Sequence, residues 1–191
     1  LVYQFDRRVH LVEPFDPPSD WPRYGAIDFG TRNPFAYVLA AMDPADSVLH
    51  IYRLHYQTEW THRQHAAAIR ELTDVWPEWI VADSEDRGSR LALSRDYGIN
   101  TLASKKGKGS VRAGINAVAE LMQLDAMGQP HLVVHDHPST RPLVHEFQSY
   151  RWATTNTKRD QPDAPLKKDD HCMDAVRYMV RSIAASTFGV G

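Results

Sequence analysis

Tyr24-Gly-Ala-Ile-Asp-Phe-Gly30, followed by apolar runs at 35–42 and 48–56, decides the fold of this 191-residue chain. The first run reads as a short strand that ends in a turn. The other two are strand-like and are joined across Asp43-Pro-Ala-Asp46, a cluster of turn formers. Three neighbouring strands with short links predict an antiparallel meander. Downstream the rhythm changes to helix (61–74, with Thr61 as cap), strand (79–83), short helix (89–96), strand (99–103) and long helix (110–127). Such alternation implies parallel pairing. The expected architecture is α/β: a mixed five-stranded sheet in the order 3-2-1-4-5, strands one to three antiparallel, four and five parallel to the first, flanked by helices. A short strand at 131–134, a helix at 142–150, a polar loop at 153–168 and a helix at 169–185 complete the pattern, the last with an apolar face at 172, 173, 176, 179, 180 and 183. Residues 1–23, rich in proline and charge, read as a lead-in linker and not as core, leaving 24–191 as the domain. The first residue is Leu, so the chain is expected to be a piece of a longer protein.

Composition narrows the function classes. Hydrophobic residues make up 42% and charged residues 24%, ordinary globular usage that excludes a disordered or fibrous chain. No apolar run reaches the ~18–20 residues of a membrane span, and no secretory signal pattern opens the chain. Cys172 is the single cysteine, which excludes an internal disulfide and a cysteine-based zinc site and fits a reducing, intracellular setting. The net charge is −2, so a nucleic-acid partner would have to be announced by charge distribution.

That distribution is uneven. Asp28 ends the first strand and Asp83 the fourth, and in open α/β sheets a strand's carboxyl end faces the ligand crevice. The final helix is read as beginning with Asp169, Asp170, His171 and Asp174, the last two spaced three apart on one face. Either strand-end aspartate alone is an ordinary turn former, and acids at a helix start are ordinary caps. Together they make an oxygen-rich cluster suited to Mg²⁺ or Mn²⁺. Two such cations can activate water and stabilise the leaving oxygen of a phosphodiester.

Around this acidic set lie basic segments. Lys105, Lys106, Lys108 and Arg112 form a run without acids, its glycines 107 and 109 allowing close approach to phosphate. The run is expected to hold phosphates while lying more than a Debye length, ~10 Å at 0.1 M salt, from the metal centre. Arg151, Lys158, Arg159, Lys167 and Lys168 make a weaker second zone that also contains Asp160 and Asp163. Trp152 reads as a packing residue that could also stack on a base. His131, His135 and His137 beside Asp136 are a fainter metal pattern, lacking a further ligand at fixed spacing.

The order Ile-Asp-Phe-Gly-Thr-Arg-Asn-Pro (27–34), Ile-Val-Ala-Asp (80–83), Lys-Lys-Gly-Lys-Gly-Ser-Val-Arg-Ala-Gly-Ile (105–115) and Lys-Asp-Asp-His-Cys-Met-Asp-Ala-Val-Arg-Tyr (168–178) resembles the nuclease domain of tailed-phage terminase large subunits, in the ribonuclease H-like superfamily. The resemblance covers residues 24–185, and the Asp-His-x-x-Asp-Ala-x-Arg-Tyr segment is its most specific part. It implies a Mg²⁺- or Mn²⁺-dependent endonuclease that cuts double-stranded viral DNA with little sequence preference, using two divalent cations. It further implies Asp28 as the central bridge, Asp83 as the second carboxylate and Asp174 as the third, with His171 beside it as ligand or proton handler. In some members the acid at the position of Asp170 takes the third role, and the choice stays open. In the full-length protein the partners implied are a fused ATPase, the portal or procapsid and a small terminase subunit, in the cytoplasm of the infected host cell, with no membrane. No Gly-x-x-x-x-Gly-Lys-Ser/Thr loop occurs here, so the motor itself is not expected within this chain. Three other readings compete: an actin-like ATPase, for which a second phosphate loop is missing; a resolvase or transposase core, which would share the metal site; and a non-catalytic DNA- or procapsid-docking module.

Overall fold

The computed structural model describes residues 1–30, 32–153 and 165–187. One seven-stranded sheet organises the chain: β1 (Leu11–Val12), β2 (Arg23–Asp28), β3 (Phe35–Asp43), β4 (Val48–Gln57), β5 (Trp79–Ala82), β6 (Leu102–Ala103) and β7 (Leu132–His135), in the order β1-β7-β4-β3-β2-β5-β6. Its centre, β4-β3-β2-β5-β6, is the five-stranded arrangement expected from the sequence. β2, β3 and β4 pair antiparallel, and β5 and β6 extend the sheet in parallel. The expectation of five strands needs correction at the far edge, where β7 adds parallel to β4 and β1 parallel to β7.

The lead-in segment is also more than a linker. Besides β1 and the short helix α1 (Arg7–His10), it places Tyr3, 2% exposed, among the core residues, and the Val2 N–H donates to the Tyr150 carbonyl at 2.8 Å. Arg23 is fully buried. Its guanidinium donates to the carbonyls of Pro17, Pro18 and Trp21, to Tyr52 and to Asp74, which ties the proline-rich stretch to the sheet.

Helices cover both faces. α4 (Ser110–Met122), α5 (Arg141–Ser149) and α6 (His171–Thr187) pack on one; α2 (His62–Leu72) and α3 (Arg87–Tyr97) on the other. The two-residue period of a strand sorts the side chains. Ala26, Ala36, Val38, Ala40 and Val81 face the α6 side, while Ile27, Tyr37, Leu39, Ala41, Ile80 and Ala82 face α2 and α3. Local chemistry sets the helix ends. Thr61 and Gln64 form a reciprocal capping box on α2, and Asp86 accepts the Ser89 N–H at the start of α3. Several boundaries shift by one to three residues, and the expected strand 99–103 shortens to Leu102–Ala103; two shifts have a visible local cause. α4 stops at Met122, not 127, because Gln123 turns to extended backbone and 125–128 fold into a turn held by the Asp125 side chain. α6 starts at His171; Asp169 has φ 48°, outside the helical region. No helix among the described residues is long and apolar enough to cross a membrane.

Candidate metal and nucleic-acid site

Asp28 ends β2 and Asp83 follows β5, its neighbour. The register Ile27↔Ala82 places the two aspartates side by side, and the Asp83 N–H donates to the Ile27 carbonyl at 3.3 Å. By strand parity, Asp28 shares the face of Ala26 and Asp83 that of Val81, so both turn toward α6. On α6 the core stripe is Cys172, Met173, Val176, Met179 and Val180. The polar stripe beside it is His171, Asp174, Tyr178 and Arg181, spaced three or four apart. Its members reach the sheet: His171 Nδ1 lies 2.9 Å from Asp28 Oδ2, and the Tyr178 hydroxyl 3.5 Å from Asp83 Oδ2.

Three of the four segments named in the sequence, 27–34, 80–83 and 168–178, therefore converge. Burial pushes the Asp28 carboxyl up to about 6; repulsion by Asp174 and Asp83 adds to this, and the His171 hydrogen bond opposes it. That same bond raises His171. Asp174 is held by Arg177, whose side chain is 5% exposed, and by Lys167 Nζ at 3.1 Å. Asp170 precedes the helix and does not ride on it as expected. Its carbonyl accepts the Asp174 N–H, and its buried Oδ2 has no hydrogen-bond partner, with Lys167 Nζ at 3.3 Å.

Lys106 departs most from expectation. Its Nζ lies 2.7 Å from Asp83 Oδ1 and 3.0 Å from Glu85 Oε2, so it is part of the acidic centre and not a Debye length away. Desolvation would lower the Lys106 pKa, but these two carboxylates raise it. Lys105 and Lys108 are exposed, as is Lys168. Arg112 stacks over Trp152 at 4.8 Å, so the indole packs on the protein's own cation and against the core. Arg151 is exposed, and Lys158, Arg159, Asp160 and Asp163 lie outside the described residues. The histidine pattern at 131–137 gathers no metal site. His135 is buried and bonded to His50, His137 to Ser139, and His131 lies near Asp125.

Sequence reasoning missed Tyr178, Arg181, Glu85 and Glu146 as contributors. The helical spacing from His171 marks the first two; Glu85 and Glu146 carry no local signal. A cavity of ≈ 270 Å³ opens between Lys105, Lys106, Ser110, Lys167 and Arg181, flanked by Asp174 and Glu85. A larger cleft, ≈ 700 Å³, runs along β4 past Arg53, Tyr56 and Ser139 and is not lined by Asp28, Asp83, Asp170 or His171.

The donor chemistry fits a hard divalent cation: the carboxylates of Asp28 and Asp83 at the sheet edge face those of Asp170 and Asp174 at the start of α6, and the buried Asp170 Oδ2 accepts no hydrogen bond. Among the described residues, however, no three or more His, Cys, Asp and Glu side chains are gathered into a ready cage. Protein cations hold the carboxylates instead.

The family model for the terminase RNase H-like domain matches residues 28–182. The chain belongs to this family. The large terminase of the thermophilic bacteriophage D6E superposes with a TM-score of 0.77 at 23% identity, over 96% of this chain and 45% of that one. This terminase domain thus spans a little under half the length of that relative. The P22 large terminase nuclease domain gives 0.74 at 22% identity, over 95% and 92%. The SPP1 large terminase nuclease domain, solved with bound Mn, gives 0.69 at 22%, over 92% and 96%. These likenesses show a common terminase nuclease fold. No curated protein sequence matches the chain.

Proposed function

We propose that this terminase domain is a Mg²⁺- or Mn²⁺-dependent endonuclease that cuts double-stranded DNA with little sequence preference. The observation that carries this reading is the placement of Asp28 and Asp83 side by side on adjacent parallel strands, facing His171 and Asp174 of α6. Asp28, Asp83 and Asp174 would hold the cations, with Asp170 as an alternative third carboxylate. When bound, the cations would supply an activated water and charge stabilisation at a phosphodiester.

The chain's own groups do the rest. His171 orients the Asp28 carboxylate through its Nδ1, leaving the opposite ring nitrogen available to hold a proton or a ligand. Tyr178 steers Asp83 in the same way. Arg177 fixes Asp174 on the helix. Lys105, Lys108 and Arg181 line the approach and neutralise phosphates, contacts that position a duplex without reading bases. A fused ATPase, the portal or procapsid, a small terminase subunit and action in the infected host's cytoplasm belong to the same proposal and rest on family membership.

A plasmid-nicking assay in Mn²⁺, Mg²⁺ and EDTA tests it. Cutting should require the cation and vanish in Asp28→Asn, whose amide oxygen can still meet His171. Equal cutting in EDTA overturns the mechanism. DNA binding without cation-dependent cutting would favour the docking-module reading.

A further inference from the structure

Each of two lysines bridges a pair of carboxylates at the candidate centre, and they arrive from different parts of the chain. Lys106 spans Asp83 and Glu85 at 2.7 and 3.0 Å; Lys167 spans Asp174 and Asp170 at 3.1 and 3.3 Å. Both stand on oxygens that a divalent cation would need. Such a cation binds carboxylate oxygen at about 2.0–2.6 Å, and its charge repels an ammonium on the same group. The two therefore compete for these carboxylates.

The lysines are also easy to move. The Lys167 side chain is 70% exposed and that of Lys106 31%, so either ammonium can swing away without unpacking the core. Arg177, buried against Asp174, has no such freedom and stays as a structural partner. Both lysines line the ≈ 270 Å³ cavity together with Lys105, Ser110 and Arg181, a basic space beside the carboxylates wide enough for a phosphate group.

We propose that Lys106 and Lys167 are exchangeable counter-ions: they hold the carboxylates when no divalent cation is bound, and a cation displaces them into the adjoining cavity, where they take a backbone phosphate of DNA. The inference rests on the nuclease reading above. Cation and DNA are then linked through the same two ammonium groups, and each ligand strengthens the other by the same factor. The lysines would oppose cation binding alone and favour it in the presence of DNA. A duplex would thus help to load the centre that cuts it.

Isothermal titration of Mn²⁺ tests this on the chain as it stands, using wild type, Lys106→Met, Lys167→Met and Asp28→Asn. Each titration is repeated with a short phosphorothioate duplex that resists cutting, after subtracting Mn²⁺ binding to the duplex alone. Without DNA, each Lys→Met variant should bind Mn²⁺ about fivefold more tightly, the lower end of typical coupling between linked sites. The duplex should tighten Mn²⁺ binding by a similar factor in wild type and by less in Lys106→Met. If thermal scans show Lys106→Met to be misfolded, Lys106→Gln takes its place. Wild-type Mn²⁺ affinity in both lysine variants, with binding lost in Asp28→Asn, overturns the exchange and leaves the nuclease reading standing. Absence of Asp28-dependent Mn²⁺ binding in wild type overturns that reading, and the exchange with it.

Discussion

Glu146 of α5 caps α6 from outside: its Oε2 accepts the backbone N–H groups of Cys172 at 2.8 Å and Met173 at 3.1 Å. Its other oxygen accepts the Tyr56 hydroxyl at 3.0 Å. The first N–H groups of a helix lack partners within it, and a carboxylate there also meets the positive end of the helix dipole. Glu146 is 1% exposed, and burial pushes its pKa up to about 7, opposed by these donors. The capped turn begins with His171 and contains Asp174, so the cap fixes the helix end that faces Asp28. Glu146→Ala should cost about 2–3 kcal/mol, because buried N–H groups lose a charged acceptor. Urea unfolding at pH 8 measures it. Glu146→Gln, which keeps the volume and an acceptor oxygen, should recover most of the loss; equal losses would mean that the negative charge, and not an acceptor oxygen at the cap, is responsible.

Gly30 closes the loop after Asp28, and a Cβ there would lie 2.3 Å from the Asn33 carbonyl oxygen and 2.4 Å from that of Pro34. The clash is with backbone and not with the end of a flexible side chain, so relief requires the main chain at Asn33 and Pro34 to shift. Gly30→Ala should destabilise the fold by about 1–3 kcal/mol, the usual cost of overpacking, and weaken Asp28-dependent Mn²⁺ binding. Gly88→Ala in α3, with its nearest contact at 3.9 Å, is the control and should be neutral or stabilising. Thermal denaturation of both variants decides it.

Burial holds His55, His65 and His135 down to about 4, below their ordinary 6.5, and lowers His50 in the same direction. The unfolded chain takes up protons at these positions below pH 6.5, whereas the folded chain resists until about 4. Their contribution to stability is complete above pH 6.5 and is lost as the pH falls from there. Glu146 and Asp28 act oppositely. Their folded values are raised to about 7 and about 6, so their contribution is present in acid and lost as the pH rises through those values. His171, raised by its bond to Asp28, works with them. With the buried histidines more numerous, the urea midpoint should fall between pH 6.5 and 4.5, and more steeply in Glu146→Gln. A midpoint that rises on acidification would show that the carboxyl groups dominate.

Lys105 and Lys108 are exposed beside the basic cavity and are not among the lysines paired with the acidic centre. Replacing both with Ala should flatten the log–log salt dependence of duplex binding by about 0.9 per lost phosphate contact. Fluorescence anisotropy across a salt series reads the slope. An unchanged slope would mean that the loop is merely solvated.

The centre of the sheet and the shared face of its acids follow from patterning along the chain. Alternating apolar residues fix which face each strand buries, so Asp28 and Asp83, each two positions after a residue on the α6 face, must point the same way. The apolar spacing from Cys172 to Val180 likewise fixed which side of α6 turns from the core, placing His171 and Asp174 toward those acids. Periodicity is a local property, and these features follow from it. The remaining features depend on contacts between segments far apart in the chain. β7 and β1 join the far edge because the chain returns past β4, a path that a short apolar run does not encode. Asp170 sits just before the helix, its carbonyl accepting the Asp174 N–H, and follows Asp169 with its positive φ. Lys106 reaches Asp83 and Glu85, Lys167 reaches Asp170 and Asp174, and Glu146 caps a helix other than its own. Where a long flexible side chain settles depends on which opposite charge its loop brings within reach, and that is a matter of three-dimensional packing that no pattern along the chain records.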